Sequence, residues 1–220
     1  MALLARNADN LKSVKSKVLE ANSNSTIEIF STDTSPDNLT RTFEDVKSHR
    51  SFQGLKLRLA IYSIKHSSKK PFLSETHAEF TKSLDEYVGG AMAFSQEALK
   101  RFLGDHGEQT LAEGGGKKGT IIFTGTLGAL RTNPEYAAYG AGRAGVRMLA
   151  QSLAKEFSAK GVHVVHAIAN GRIADGEGEE FDTGKSIRAD AVGKEYLHLH
   201  EQEPTLWTHE LDLRPAQEKF

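Results

Sequence analysis

A doubly wound α/β fold, with helices on both faces of a parallel sheet, is what this 220-residue chain predicts, and three observations carry the prediction. Short aliphatic runs alternate with segments of helical periodicity from one end to the other. The clearest unit sets the run Thr120-Ile121-Ile122-Phe123-Thr124 ahead of a helical segment at 134–157 and a second apolar run at 162–168. Parallel strands need a crossover of that kind between them. The chain has no internal repeats, and its length suits one domain, residues 1–220, with a sizeable core.

The first half of the chain supplies the other units. Residues 2–5 read as a strand, and Asn7 is a suitable N-cap for a helix whose apolar stripe is Leu11, Val14, Val18 and Leu19. Residues 26–31 place Ile27 and Ile29 on one face, as a strand does. Ser35-Pro36 opens a second helix, with Ser35 as the cap and Leu39, Phe43 and Val46 as its stripe. Residues 57–63 are the next strand, 65–70 a basic loop, and 75–104 a long helix. The polar, Gly-rich segment 105–118 is an exposed loop before the central unit. Beyond Asn170-Gly171 an acidic stretch at 175–183 lacks periodicity and is expected to be a mobile surface loop. A helix at 189–201 and a strand at 206–213 complete the pattern.

Composition removes several function classes. Lys+Arg 28 against Asp+Glu 29 leave a net charge of -1, so no global field recruits nucleic acid or an anionic membrane. Cysteine is absent, which excludes disulfides and thiolate chemistry and fits a reducing compartment such as the cytoplasm. No apolar run approaches the roughly 20 residues that span a bilayer.

Thr126, Tyr139 and Arg143 carry most of the chemical information. Tyr139 and Arg143 are four apart on one helix and share a face. A phenol, with an ordinary pKa of about 10, exchanges protons poorly at neutral pH, and a fixed cation beside it favours the phenolate. A hydroxyl at Thr126, in the loop leaving the preceding strand, is placed to bind the same substrate oxygen. By spacing alone, Tyr-x-x-x-Arg is most often a bland surface pair. The hydroxyl after a strand and the tyrosine at the next helix start raise it above that.

The arrangement resembles the short-chain dehydrogenase/reductase family, and the resemblance covers nearly the whole chain. Members carry a Ser after the fifth strand, a Tyr thirteen residues on and a Lys four further; the matching positions are Thr126, Tyr139 and Arg143. The helix before the fifth strand usually contributes an Asn, at the position aligned with Tyr87 in Tyr87-Val88-Gly89-Gly90. The Asn-Ala-Gly-type turn after the fourth strand reads Ser63-Ile64-Lys65, and the Pro-Gly after the sixth reads Asn170-Gly171. The ending Trp207-Thr208-His209-Glu210-Leu211-Asp212-Leu213-Arg214-Pro215 looks like the last strand and tail of one oxidoreductase branch.

The resemblance implies a Rossmann-like sheet and an NADP(H)-dependent oxidoreductase of a small carbonyl or alcohol, with a variable substrate loop at 172–188. Tyr139 would exchange the proton and Thr126 would orient the oxygen. Homo-oligomers through the long helices are part of the expectation. Two positions depart from the family pattern. Arg143 keeps a charge but stays protonated, so it cannot relay protons as a Lys does. Tyr87 lacks the carbonyl acceptor and paired donors of an amide. A catalytically inactive relative, kept for binding or subunit association, is therefore the alternative reading.

By the same resemblance Arg6, with Asn7 beside it, stands where members choose their cofactor, and an Arg there accommodates the 2′-phosphate of NADP. Asp33-Thr34 matches the pair that meets the adenine, and Ser63, Ile64, Asn170 and Gly171 fall in turns that line the cofactor. The family's first strand, its Thr-Gly-x-x-x-Gly-x-Gly turn and its first helix have no counterpart in these residues. In the family order 3-2-1-4-5-6-7 that strand is central, so the sheet is expected to be incomplete. Cofactor binding is expected to be weak or absent without the turn that holds the pyrophosphate.

Other signals are set aside. Gly140-Ala141-Gly142-Arg143-Ala144-Gly145 satisfies G-x-G-x-x-G but lies inside a helix, where it predicts close packing rather than a phosphate site. Gly89-Gly90 is expected to serve the same packing. His198 and His200, two apart on a helix, point in different directions and predict no metal site.

Overall fold

The computed structural model describes residues 1–64 and 68–218. Its first half contains β1 (Ala2–Ala5), α1 (Ala8–Ala21), β2 (Glu28–Ser31), α2 (Pro36–Ser48), β3 (Leu59–Tyr62), α3 (His77–Leu84) and α4 (Gly90–His106). The second half contains β4 (Gly119–Gly125), α5 (Ala137–Phe157), β5 (Val162–Ala169), β6 (Ile173–Ala174), α6 (Glu179–Asp182), β7 (Ile187–Arg188), α7 (Ala189–Glu201) and β8 (Glu210–Leu213). Strand and helix alternate as the periodicity predicts, and every strand pairing is parallel. The main sheet runs β3-β4-β5-β8, β1 pairs with β2 in a second sheet, and among the described residues no ladder joins β1 to β3. Nor is any helix among them long and apolar enough to cross a membrane.

Alternation along the strands covers the main sheet from two sides. Ala60, Tyr62, Ile121, Phe123, Val162 and Val164 pack with Phe94, Ala98, Phe102, Val146 and Ala150 of α4 and α5. Ile122, Val165 and Ala167 point the other way, onto Tyr196 and Leu199 of α7. Ile61 lies in register with Ile122 on that second face, yet it is 41% exposed while Ile122 is fully buried. Helix α7 covers the middle of the sheet and leaves its β3 edge open. The β1–β2 unit is fastened to the body through α2: Thr34 Oγ1 donates to the Glu86 carbonyl at 2.9 Å, and Phe43 meets Phe94 edge-on at 5.6 Å.

Several elements differ from the sequence expectation for local reasons. Asn7 caps α1 as predicted, accepting the Asn10 N–H at 2.9 Å, but Val14 on that helix is exposed. At α2 Ser35 is the N-cap residue as expected, but its hydroxyl caps no helix N–H and is instead bound by Asp33 two residues earlier. Asp33 Oδ1 accepts from the Asn38 amide at 2.8 Å and from the Ser35 hydroxyl and N–H at 2.7 and 3.0 Å. Those bonds, Asn38 first, lower the Asp33 carboxyl from 3.8 to about 2. The folded value is depressed, so this stabilisation is present above about pH 4 and is lost as pH falls through about 2. Asp33→Ala removes the bonds that tie Ser35 and Asn38 at the start of α2, and is expected to cost about 1 kcal/mol, the net worth of an exposed hydrogen-bonded turn. Thermal melts should show that gap at pH 7 and a closing gap toward pH 2; equal melts at pH 7 would show that these bonds add nothing to stability.

The long helix of 75–104 is interrupted. A capping box between Thr76 and Glu79 starts α3, and a π-helical turn at Asp85–Gly89 separates it from α4. Gly142 and Gly145 of α5 receive Tyr87 and Val88 from that turn, the close packing expected of them. Gly90 serves a different contact, because a Cβ there would meet Thr34 and the Tyr62 hydroxyl rather than α5. The segment before β4 is not simply an exposed loop, since Lys118 is fully buried and gives its ammonium to the Gln109 carbonyl at 2.6 Å. The acidic stretch after β5 carries local structure that the sequence reading missed: β6 pairs with β7, and α6 lies between them. The last ladder is confined to β8, with Leu206 left exposed. Of the basic loop, residues 65–67 lie outside the described residues.

Candidate active site

The positions singled out in the sequence follow the C-terminal ends of parallel strands, the side on which open α/β sheets bind ligands. Arg6 and Asn7 follow β1, Asp33 and Thr34 follow β2, Ser63 and Ile64 follow β3, Thr126 follows β4, and Asn170 and Gly171 follow β5. Lys65, the last residue of the turn after β3, lies outside the described residues.

The structure brings Thr126, Tyr139, Arg143 and Tyr87 together. Thr126 Oγ1 and the Tyr139 hydroxyl are 2.6 Å apart, and either is able to donate. Thr126 Oγ1 also accepts the Gly128 N–H at 3.3 Å, which closes the turn after β4. The Tyr139 ring lies against Gly128, where a side chain would collide with it. Tyr136 packs edge-on against Tyr139 with ring centres 5.7 Å apart. The backbone reaches that position through Glu135, whose φ of 71 makes it the positive-φ non-glycine residue among those described. Its carbonyl accepts the Lys70 N–H at 2.8 Å, and its carboxylate meets Lys69 at 3.4 Å.

Arg143 sits between the two tyrosines. It is buried, donates from Nη1 to the Tyr87 hydroxyl, and reaches the Thr124 carbonyl at 3.4 Å. Its Cζ lies 4.3 Å from the Tyr87 ring centre and 5.1 Å from that of Tyr139. Burial pushes the Tyr87 phenol up, with Arg143 opposing, so Tyr87 remains a neutral phenol. The π turn is what delivers Tyr87 here. The turn is held from outside the helix by Thr34 on the Glu86 carbonyl and by the Tyr62 hydroxyl on the Tyr87 carbonyl at 3.1 Å. A phenol, a hydroxyl partner and a cation over the ring are the parts of a proton donor for a substrate oxygen.

The cofactor positions are less uniform. Asn7 spends its side-chain oxygen on the cap of α1, Asp33 on Ser35 and Asn38 at the start of α2, and Thr34 on the π turn. Ile64 packs its side chain against the main core. Asn170 Nδ2 donates to Glu218 at 3.0 Å, and Gly171 has a φ of 140 beside Pro215. Arg6 is exposed, and its charge helps to lower the Asp33 carboxyl. Sequence reasoning missed Gly128, Tyr136 and the polar core behind Gly125. The signal available for the last was a histidine, His166, in an otherwise apolar run.

A family profile described as enoyl-(acyl carrier protein) reductase matches residues 1–201 of this chain. No curated protein matches its sequence. Among solved structures, a short-chain dehydrogenase from Rhodopseudomonas palustris is similar with a TM-score of 0.76 at 24% identity, over 98% of this chain and 86% of the other. An NADPH-bound short chain oxidoreductase from Pseudomonas aeruginosa PAO1, described as containing an atypical catalytic center, gives 0.78 at 15% identity, over 100% and 87%. L-Sorbose reductase from Gluconobacter frateurii, complexed with NADPH and L-sorbose, gives 0.77 at 14% identity, over 99% and 87%. At these identities the likeness is one of fold.

Proposed function

Because the chain belongs to the short-chain dehydrogenase/reductase family, we propose that it is an NADP(H)-dependent oxidoreductase of a small carbonyl or alcohol. The observation that carries the reading is the 2.6 Å contact between Thr126 and Tyr139, at the two positions where the family keeps its hydroxyl and its phenol. In the reducing direction Tyr139 gives its proton to the substrate oxygen. Thr126 donates to the same oxygen and fixes its distance from the phenol. Arg143, held by Tyr87 and the Thr124 carbonyl, keeps a positive charge across the ring of Tyr139 and stabilises the phenolate that remains. Tyr87 acts through Arg143 and does not replace an amide.

A nicotinamide cofactor supplies or accepts the hydride when bound. The residues fit its two ends. Arg6 offers an exposed cation at the adenosine side, and Thr126, Tyr139 and Asn170 gather at the strand ends on the other. The middle is not matched, since no glycine-rich turn follows a strand in these residues and the α1 N-terminus is capped by its own Asn7. The preference between cofactors rests on Arg6 with Asp33 and Thr34 beside it.

Fluorescence titration tests this. NADPH should bind more tightly than NADH, and Arg6→Asp should reduce that preference by about tenfold or more, the worth of one charge-assisted hydrogen bond. Equal affinities in the unaltered protein would remove the argument. Turnover is read separately, as NADPH oxidation with a panel of aldehydes and ketones. The second reading, an inactive relative that associates through its long helices, is favoured by Arg143 spending its Nη1 on groups inside the protein and by the exposed Met92 and Met148 on α4 and α5. NADPH binding with no turnover of any carbonyl would select it.

A further inference from the structure

Behind the turn that carries Thr126, a second polar chain crosses the core, and nothing in the proposed reaction uses it. His166 of β5 is 1% exposed, and its Nδ1 lies 3.1 Å from Glu210 Oε2 on β8. Glu210 is gripped from α5 by Arg147, with Nε 2.6 Å from Oε2 and Nη2 2.7 Å from Oε1. That grip holds the Glu210 carboxyl below its ordinary range, and burial holds the imidazole below its own against the pull of Glu210, with Arg147 and Arg143 adding to the effect of burial. An ionised carboxylate only accepts, so Nδ1 carries the proton and Nε2 is the bare nitrogen. Nε2 has no hydrogen-bond partner among the described residues, and it rests directly on Gly125, where a Cβ would collide with it.

We propose that Arg147, Glu210 and His166 are positioning residues for the reaction assigned above, and that the imidazole is a fixed stop that sets where Gly125, and hence Thr126, can lie. The geometry forms a closed circuit. Helix α5 presents Tyr139 near its start and Arg147 about two turns later on the same rod. Arg147 anchors Glu210, Glu210 orients His166, His166 bears on Gly125, and Thr126 meets Tyr139 at 2.6 Å. Thr126 and Tyr139 are thus measured against one another through the core as well as through the loop between them. The Arg147–Glu210 pair is half-buried and bidentate, a geometry that fixes direction as well as adding energy. Gly125 also acquires a reason: only a residue without a side chain leaves room for the stop.

The proposal rests on the oxidoreductase reading, so the test has one readout that needs turnover and one that does not. His166→Asn keeps a donor near Nδ1 for Glu210 but removes the end that touches Gly125, whereas His166→Gln carries its amide toward the Nε2 position. In the asparagine variant kcat should fall about tenfold to a hundredfold, as small misplacements of a catalytic group do, with KM for NADPH unchanged. The glutamine variant should recover most of the loss. Independently, the 19F resonance of 3-fluorotyrosine at position 139 should shift in the asparagine variant and stay near its original place in the glutamine variant. Should either variant fail to fold, Gly125→Ala combined with His166→Ala puts a methyl where the ring tip was, and it should restore the 19F signal that Gly125→Ala alone displaces. Unchanged kcat and resonance in the asparagine variant would overturn the proposal, as would equal losses in both variants that track their melting temperatures. A protein without turnover whose resonance still responds in this pattern would sink the reaction and leave the positioning circuit standing.

Discussion

Tyr139→Phe should abolish carbonyl reduction and leave the fold intact. The phenol oxygen has one observed polar partner, Thr126 Oγ1 at 2.6 Å, while the ring is held by Gly128, the edge of Tyr136 and the face of Arg143. Phenylalanine keeps all three ring contacts and removes the proton. General acid catalysis by a positioned side chain is worth about 10²–10⁴ in rate, and that is the loss expected in kcat. One partly exposed hydrogen bond is worth about 1 kcal/mol, so the melting temperature should move by a few degrees at most. NADPH affinity should not change, because Tyr139 acts on the substrate oxygen. Steady-state rates beside a thermal melt decide it. Turnover in the phenylalanine variant near that of the parent would show that another group is the acid.

Amide exchange should divide the molecule along its two sheets, and the difference should be large. Strands β4 and β5 have partners on both edges and are buried along nearly their whole length. They are expected to exchange only on global unfolding. Among the described residues, strands β1 and β2 pair only with each other; they run four residues each and are half-buried. Isolated two-stranded sheets are marginal in water, and here the attachment is made by α2 on α4. Opening of this unit need not disturb the main core, so its amides should exchange on the order of a hundredfold faster than those of β4 and β5, or more. The same measurement on β3 is informative, because its free edge and the exposed Ile61 place it between the two classes. Uniform protection across both sheets would show that they open as one unit.

The parts of the fold that were legible in the sequence are those fixed by local pattern. The run at 120–124, the long helix and the run at 162–168 announce β4, α5 and β5, because unbroken apolar runs and 3.6-residue periodicity are strong signals. The Thr126–Tyr139 pairing was legible for the same reason, since a hydroxyl after one strand and a tyrosine at the next helix are brought together by the crossover itself. What was not legible is set by partners distant in sequence. Periodicity assigns Val14 to the apolar side of α1 but does not say whether anything lies over that side, and here it is exposed. Ser35 stands at the N-cap of α2, and only the backbone path of the turn decides that its hydroxyl goes to Asp33 rather than to a helix N–H. Glu210 reads as an ordinary charge in a strand, because its partner Arg147 stands 63 residues away.

The π turn at Asp85–Gly89 has a further consequence, best stated as a change of phase. A π turn takes more residues to go round than an α turn, so one extra residue rotates everything before it by up to about 100° relative to everything after it. Up to the middle of the turn, Leu84 and Tyr87 face Gly142 of α5; after it, Gly90 faces Thr34 and Tyr62, and Phe94, Ala98 and Phe102 face the sheet. An uninterrupted helix has one continuous stripe and would have to serve a single set of neighbours. The inserted residue lets one rod serve two, so the segment that seals the core and the segment that presents Tyr87 to Arg143 are set to different angles without a break in the chain.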